Sequence, residues 1–290
     1  MPDDIVLYKK LINEKLRKFL QSVGIGDNRL LRAMEYSLFS GGKLVRPLLS
    51  LSFCNLCNGD IKKALPLACA VEMIHTYSLV HDDLPCMDND VTRRGKPSNH
   101  IINGENFAIL AGDALFSLAA EVITDKETTE LLGTDVSIKA ANILFKCCGA
   151  SGMVDGQALE FSLKKDMKGL VPDFSPMSSM DTLYLKKTGK LFGAACALGC
   201  LAAGMDKTKV EAANRYGEDI GVVYQIIDDL KDNSYSTDFG FDDEAARGFA
   251  VVAYKMIVNV MNTIKNNFCL DEKSFINIFG QELKTVLLDY

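Results

Sequence analysis

The sequence predicts an all-α protein. Apolar residues recur at helical spacing through its long segments, and no run alternates apolar and polar residues as a strand would. Composition agrees, because Ala, Leu and Met are frequent and Trp is absent.

The first helix is expected over Ile5–Leu20, where Leu7, Leu11, Leu16 and Leu20 mark one face, and it ends before Val23-Gly24-Ile25-Gly26. Asp27 is the expected cap of a second helix, Arg29–Phe39. Gly41-Gly42 breaks the chain. Lys43-Leu44-Val45-Arg46 then leads to Pro47, expected at the first helical position with Arg46 held outside the helix. The free N–H groups of that helix start, beside Lys43 and Arg46, would make an anion site.

A long helix is expected from about Ile61 to the aspartates at Asp82-Asp83, followed by a basic loop, Arg93-Arg94-Gly95-Lys96-Pro97. Further helices are expected over Glu105–Val122, over Asp135–Phe161 with an interruption near Gly149–Gly152, over Asp181–Ala203 and over Lys207–Leu230. Small residues Gly193–Ala197 would allow close helix packing. Lys164–Ser179, with Pro172 and Pro176, reads as a loop, and Ser234–Asp243 as irregular; Glu244–Asn266 and Ser274–Leu288 read as the last helices. With no heptads, fixed-period repeat or linker-like boundary, residues 1–290 read as one domain.

The chain can bury a substantial core at 290 residues, 48% hydrophobic and 24% charged. A net charge of −6 gives no support for nucleic-acid binding. Met1–Asp4 does not read as a signal peptide, and no apolar run is expected to reach membrane-spanning length, Val71–Val80 being interrupted by Glu72, His75 and Ser78. Nine cysteines, an odd number without secretory context, read as reduced cytoplasmic thiols, and Cys54-x-x-Cys57 as core packing.

Chemistry concentrates in two aspartate clusters. Asp82, Asp83, Asp88 and Asp90 crowd the end of one apolar helical run, and Asp228, Asp229 and Asp232 the end of another. Asp228 and Asp232 share a helix face, with Gln225 near them, and His75 lies two turns before Asp82. Carboxylates in such clusters suit Mg²⁺, which keeps several waters and is completed by phosphate oxygens. Arg93 and Arg94 add forked donors for the phosphate oxygens the metal leaves free.

In this order the motifs resemble the trans-isoprenyl diphosphate synthases, specifically bacterial-type farnesyl and plant-type geranylgeranyl diphosphate synthases. The resemblance runs from about Leu30 to Asp232. It comprises Gly41-Gly42-Lys43 with Arg46-Pro47, the aspartate motif from His81 to Asp88 followed by Arg93-Arg94-Gly95, and Ala111-Gly112-Asp113-Ala114-Leu115. Gly156-Gln157, Lys187-Thr188-Gly189 and Gln225 with Asp228, Asp229 and Asp232 complete it. Each motif alone is weak; the ordered set is specific.

The resemblance implies an isoprenoid synthase helical bundle around a central diphosphate and Mg²⁺ pocket. It implies three Mg²⁺ ions with bound diphosphate, Asp82, Asp88 and Asp228 as their ligands, and Asp83, Asp229 and Asp232 as ligands or their supports. Arg93 and Lys187 would hold an allylic diphosphate, while Lys43, Arg46, His75 and Arg94 would hold isopentenyl diphosphate. Thr188 and Gln225 would position the allylic substrate and face its developing cation. Implied with these are a homodimer and a cytoplasmic enzyme.

The family pattern is broken in two places. Glu160 stands where Asp usually follows the Gly-Gln motif, and Asn233–Ala246 contains no lysine where the family carries a lysine-bearing flap. Tyr77, five residues before Asp82, matches the aromatic residue of bacterial-type farnesyl synthases, and a ring there could stop chain growth. That favours the C15 product, farnesyl diphosphate. The alternatives are a C20 synthase and a regulatory subunit without catalysis of its own.

Overall fold

The computed structural model describes residues 2–24, 28–164 and 181–232. The expected loop after Lys164, the irregular segment Ser234–Asp243, the lysine-free Asn233–Ala246 and the helices Glu244–Asn266 and Ser274–Leu288 lie outside the described residues. Described residues fall into two compact units, one built from 2–142 with 201–204, the other from 143–200 and 205–232. The architecture is all-α, as expected.

The first unit contains α1 (Pro2–Ser22), α2 (Arg29–Leu38), α3 (Val45–Leu56) and α4 (Ile61–Asp82). After them come α5 (Asn99–Asn103), α6 (Glu105–Thr124), α7 (Lys126–Leu132) and the start of α8 (Thr134–Cys148). Its centre is α4, against which α6 and α3 pack most extensively. Leu67, Ala68, Cys69, Ala70, Val71, Met73 and Ile74 are all fully buried, so the middle of this helix is covered on all sides, as in a core helix. Each large side chain among them contributes roughly 1.5–3 kcal/mol of transfer free energy. The Asp60 side chain caps α4 by accepting from the Lys62 amide at 2.9 Å.

Local chemistry corrects four expectations. The cap of α2 is Asn28, whose Oδ1 accepts from the Leu30 amide at 2.7 Å, rather than Asp27. Arg46 lies inside the first turn of α3, not before it. Leu44 takes the left-handed cap conformation, and Pro47 occupies the third helical position, where an amide would have no intrahelical partner. A small antiparallel hairpin, β1 (Thr92–Arg93) and β2 (Lys96–Pro97), interrupts the basic loop, turning through Arg94 and Gly95 at positive φ. Lastly, α6 is long and apolar enough by composition to cross a membrane, with a window of hydropathy 1.7. Here 44% of that window is buried, and α6 packs on α4 and α2, as a core helix does.

The second unit contains the rest of α8, α9 (Met153–Leu163), α10 (residues 181–202) and α11 (Lys207–Asp232). Within α10 a π-helical turn, Leu185–Gly189, precedes the α-helical part Lys190–Ala202. Glycines let α10 and α11 cross closely. A Cβ at Gly217 would collide with the Phe192 backbone, and one at Gly221 would lie 2.7 Å from Gly189 Cα. The expected close packing near Gly193 is thus present, with Gly193 itself against Asn214 and Glu218.

Candidate active site

At the end of α4 the chain folds back on itself. Asp83 is the C-cap, and the Asp88 amide donates to the Asp82 carbonyl at 2.9 Å while the Asn89 amide donates to the Leu84 carbonyl at 3.0 Å. This turn brings Asp88 beside Asp82, both partly exposed. Asp83 differs. It is buried, and its Oδ1 accepts from Arg93 Nε at 2.8 Å and Nη2 at 2.5 Å, while Arg93 Nη2 also donates to Asp90 at 2.8 Å. Burial pushes the Asp83 carboxyl upward, although Arg93 opposes it. The structure therefore places Asp83 as the anchor of Arg93 and leaves Asp82 and Asp88 at the surface.

A basic corner forms in the same unit. Arg46 Nη1 lies 3.1 Å from His75 Nε2, and since a guanidinium only donates, the imidazole accepts. Burial first, then Arg46, Arg94 and Arg93, holds His75 well below its usual range. His75 thus enters the corner as a neutral ring, not as a fourth cation. Arg94 donates to the Gly41 carbonyl, and a Cβ at Gly42 would lie 2.6 Å from the Arg94 guanidinium carbon. Gly41-Gly42 therefore makes room for Arg94 beside the loop that carries Lys43. Arg46, His75 and Arg94 are brought together in this corner.

In the second unit, a Cβ at Gly156 would collide with the Lys187 backbone, so the Gly-Gln motif lets α9 lie flush against the π-helical turn. Lys187 ion-pairs there with Glu160, and Lys186 with Asp155. A relay follows: Thr188 Oγ1 donates to Gln225 Oε1 at 2.7 Å, Gln225 Nε2 to Asp229 Oδ1 at 2.7 Å, and Tyr184 to Asp229 Oδ2 at 2.8 Å. Both Asp229 oxygens are therefore occupied, and burial raises its carboxyl to about 6. Its neighbour Asp228 is partly exposed, and Asp232 lies at the last residue of α11.

The donor chemistry fits Mg²⁺ of the kind completed by substrate. Among the described residues no group of three ligating side chains forms a closed metal cage. What is present is a carboxylate pair, Asp82 with Asp88, and a partly exposed Asp228. Mg²⁺ is commonly held by one or two carboxylates plus phosphate oxygens and water, so these sites suit it. The cysteines described are free thiols, and burial raises Cys54 to about 11, in keeping with core packing.

Sequence reasoning missed three participants. Glu72 was read only as an interruption of an apolar run, yet an acid inside a core helix one turn before His75 is itself a signal. Tyr184, three residues before Lys187, carries no motif that would have shown its bond to Asp229. Glu160 was noted as a departure, whereas here it is the partner of Lys187.

Residues 27–240 match the polyprenyl synthetase family. The chain is 41% identical over 205 residues to the chloroplastic heterodimeric geranylgeranyl pyrophosphate synthase large subunit 1 of Arabidopsis thaliana, covering 71% of this chain and 54% of that protein. It is 40% identical over 225 residues to the geranylgeranyl diphosphate synthase of Cyanophora paradoxa, covering 77% and 71%. The chain spans about half the length of the Arabidopsis relatives it matches. Among solved structures it resembles a geranyltransferase from Legionella pneumophila, with TM-score 0.84, 31% identity, and 99% and 98% of the two chains covered. Similar too is a geranyltranstransferase from Thermotoga maritima, with TM-score 0.76 and 32% identity over 99% of this chain and all of the other. On these grounds the chain belongs to the polyprenyl synthetase family.

Proposed function

We propose that the protein condenses an allylic diphosphate with isopentenyl diphosphate in a Mg²⁺-dependent prenyl transfer. The observation that carries this reading is the basic corner, where Arg46 meets His75 and Arg94 reaches the Gly41 carbonyl, formed in addition to the carboxylate turn of Asp82 and Asp88. Two anionic substrates need two kinds of site, one completed by metal and one made of donors alone. A synthase that uses a single diphosphate has no need of the second.

Asp82 and Asp88 at the end of α4, and Asp228 on α11, would hold the ions. Bound Mg²⁺ supplies positive charge to the diphosphate that leaves. Lys187, set in place by Glu160, adds a donor to that leaving group as the allylic C–O bond breaks. Thr188 and Gln225, ordered by their bonds to each other and to Asp229, present oxygen dipoles to the cation that develops. Arg46, Arg94 and the neutral His75 orient isopentenyl diphosphate so that its double bond attacks that carbon. The proton then lost from the isopentenyl unit goes to the departing diphosphate, which balances the reaction without a side-chain base.

For product length we favour C15. Tyr77 is buried on α4, with its ring 5.1 Å from Phe116 and 5.7 Å from His81 in edge-on contacts. A ring braced in this way about one turn before the metal-binding end is suited to stop an elongating tail. The names of the plant relatives favour a C20 product instead. Assembly as a homodimer belongs to the same proposal, supported by exposed Ile101 and Ile102 on α5 and Ile109 and Leu110 on α6. The test is incubation of purified protein with dimethylallyl or geranyl diphosphate, labelled isopentenyl diphosphate and Mg²⁺, with chain-length analysis. Farnesyl diphosphate is expected; label incorporated into no longer prenyl chain would overturn the reading.

A further inference from the structure

Glu72 takes no part in the transfer steps described above. It lies on α4 one turn before His75 and Thr76, it is 2% exposed, and its Oε2 has no hydrogen-bond partner. A buried carboxyl in that condition is costly, and it persists only where surrounding charge favours it. Two guanidiniums act on it, that of Arg94 from the hairpin after α4 and that of Arg46 from α3. On its own helix, the Cys69 thiol one turn earlier feels the charge of Glu72 in return. These are the same two arginines that form the basic corner. One buried acid is therefore shared by both arginines of the isopentenyl diphosphate site.

We propose that Glu72 is the internal counter-ion of Arg46 and Arg94, ionised above neutral pH while the corner is empty and taking up a proton when a diphosphate binds there. The inference rests on the diphosphate reading of that corner. Its physical basis is competition. A diphosphate brings more charge and more acceptor oxygens than one carboxylate, and two anions close to the same guanidiniums in a poorly solvated setting raise each other's proton affinity. Burial already pushes the Glu72 carboxyl to about 7, with Arg94 and Arg46 opposing, so a bound anion carries it into the protonated range at neutral pH. His75 is not the group that takes the proton. Its Nε2 accepts from Arg46, and burial first, then the nearby guanidiniums, hold it neutral. Glu72 thus acts through the arginines as a positioning residue and does not touch substrate.

The sign of the pH effect follows. The bound state holds Glu72 protonated to higher pH than the empty state, so affinity for isopentenyl diphosphate is greatest below about 7 and falls as pH rises through it. A neutral Gln at this position has the shape of the protonated acid and lacks this loss. At pH 8, about one unit above the empty-state value, Glu72→Gln should bind more tightly than wild type by several-fold, up to about tenfold. At pH 6 the two should converge.

The test is calorimetric titration of the full chain with isopentenyl diphosphate, without metal, at pH 6, 7 and 8. Two buffers of different ionisation enthalpy report proton uptake directly. The ligand's own ionisation is common to both proteins, so wild type should take up more protons than Glu72→Gln at pH 7 and 8. Equal uptake and parallel affinity curves would overturn the counter-ion role while leaving the site intact. If the variant does not fold, wild type alone decides at pH 8, where the ligand is fully ionised; no proton uptake there overturns the proposal. Absence of binding by wild type at every pH would remove the diphosphate reading of the corner, and the Glu72 proposal with it.

Discussion

The Tyr184 hydroxyl donates to Asp229 Oδ2 at 2.8 Å, and by doing so closes a relay that reaches Thr188 through Gln225. Tyr184 precedes the π-helical turn directly, and such turns recur at functional sites because they re-aim the side chains around them. Removing the hydroxyl in Tyr184→Phe leaves Asp229 one donor short. Turnover should fall about tenfold, with the Michaelis constant for isopentenyl diphosphate unchanged and stability reduced by roughly 1 kcal/mol. Steady-state kinetics with both substrates varied, alongside denaturant unfolding, checks this; unchanged turnover would mean that the relay is only structural.

Arg46 should matter to one substrate more than to the other. Arg46→Ala removes the donor that faces His75 and one of the two guanidiniums of the basic corner. The Michaelis constant for isopentenyl diphosphate should rise by at least about tenfold, as expected for loss of a charge-assisted contact, with a much smaller change for the allylic substrate. An equal rise for both would show that the corner serves the allylic diphosphate instead.

Glu72 also predicts a pH dependence of stability that needs no ligand. Its folded value of about 7 lies above its ordinary value, so the folded state holds the proton to higher pH than the unfolded chain. The stability this contributes is fully present below about pH 4.5 and is lost as pH rises towards 7. The loss attributable to this one group is on the order of 3 kcal/mol. Denaturant unfolding of metal-free protein at pH 5 and pH 8 should show a smaller decline in Glu72→Gln than in wild type. Identical declines would place the titration elsewhere.

Tyr77→Ala should open space at its contacts with Phe116 and His81 and shift products from C15 towards C20 or longer. Product analysis by chromatography decides it. The same product from the variant and wild type would show that Tyr77 fills the core and another element sets the depth.

Much of the fold was legible because helix periodicity is a strong local signal. The extents of α4, α6 and α11 followed from apolar spacing and from the aspartates that end two of them. Short elements were not legible. The two-residue strands at Thr92–Arg93 and Lys96–Pro97 carry no alternation, and α5 and α7 are too short to show a period. The start of α3 is not legible from Pro47, because proline is tolerated throughout the first turn and here stands at its third position. At the site, motif residues could be named from sequence but their pairings could not. That Asp83 would anchor Arg93, that Glu160 would meet Lys187 and that His75 would be neutral all depend on contacts between residues distant in the chain.

The measurement closest to the central claim is prenyl transfer by the purified chain with and without Mg²⁺, repeated for Asp82→Ala and Asp228→Ala. Wild type should convert geranyl and isopentenyl diphosphates to farnesyl diphosphate with Mg²⁺ and lose the activity with a chelator. Each variant should lose at least about a hundredfold in turnover, the scale expected when charge stabilisation of a leaving group is removed. Wild-type rates in either variant, or transfer that persists without divalent metal, would contradict the account.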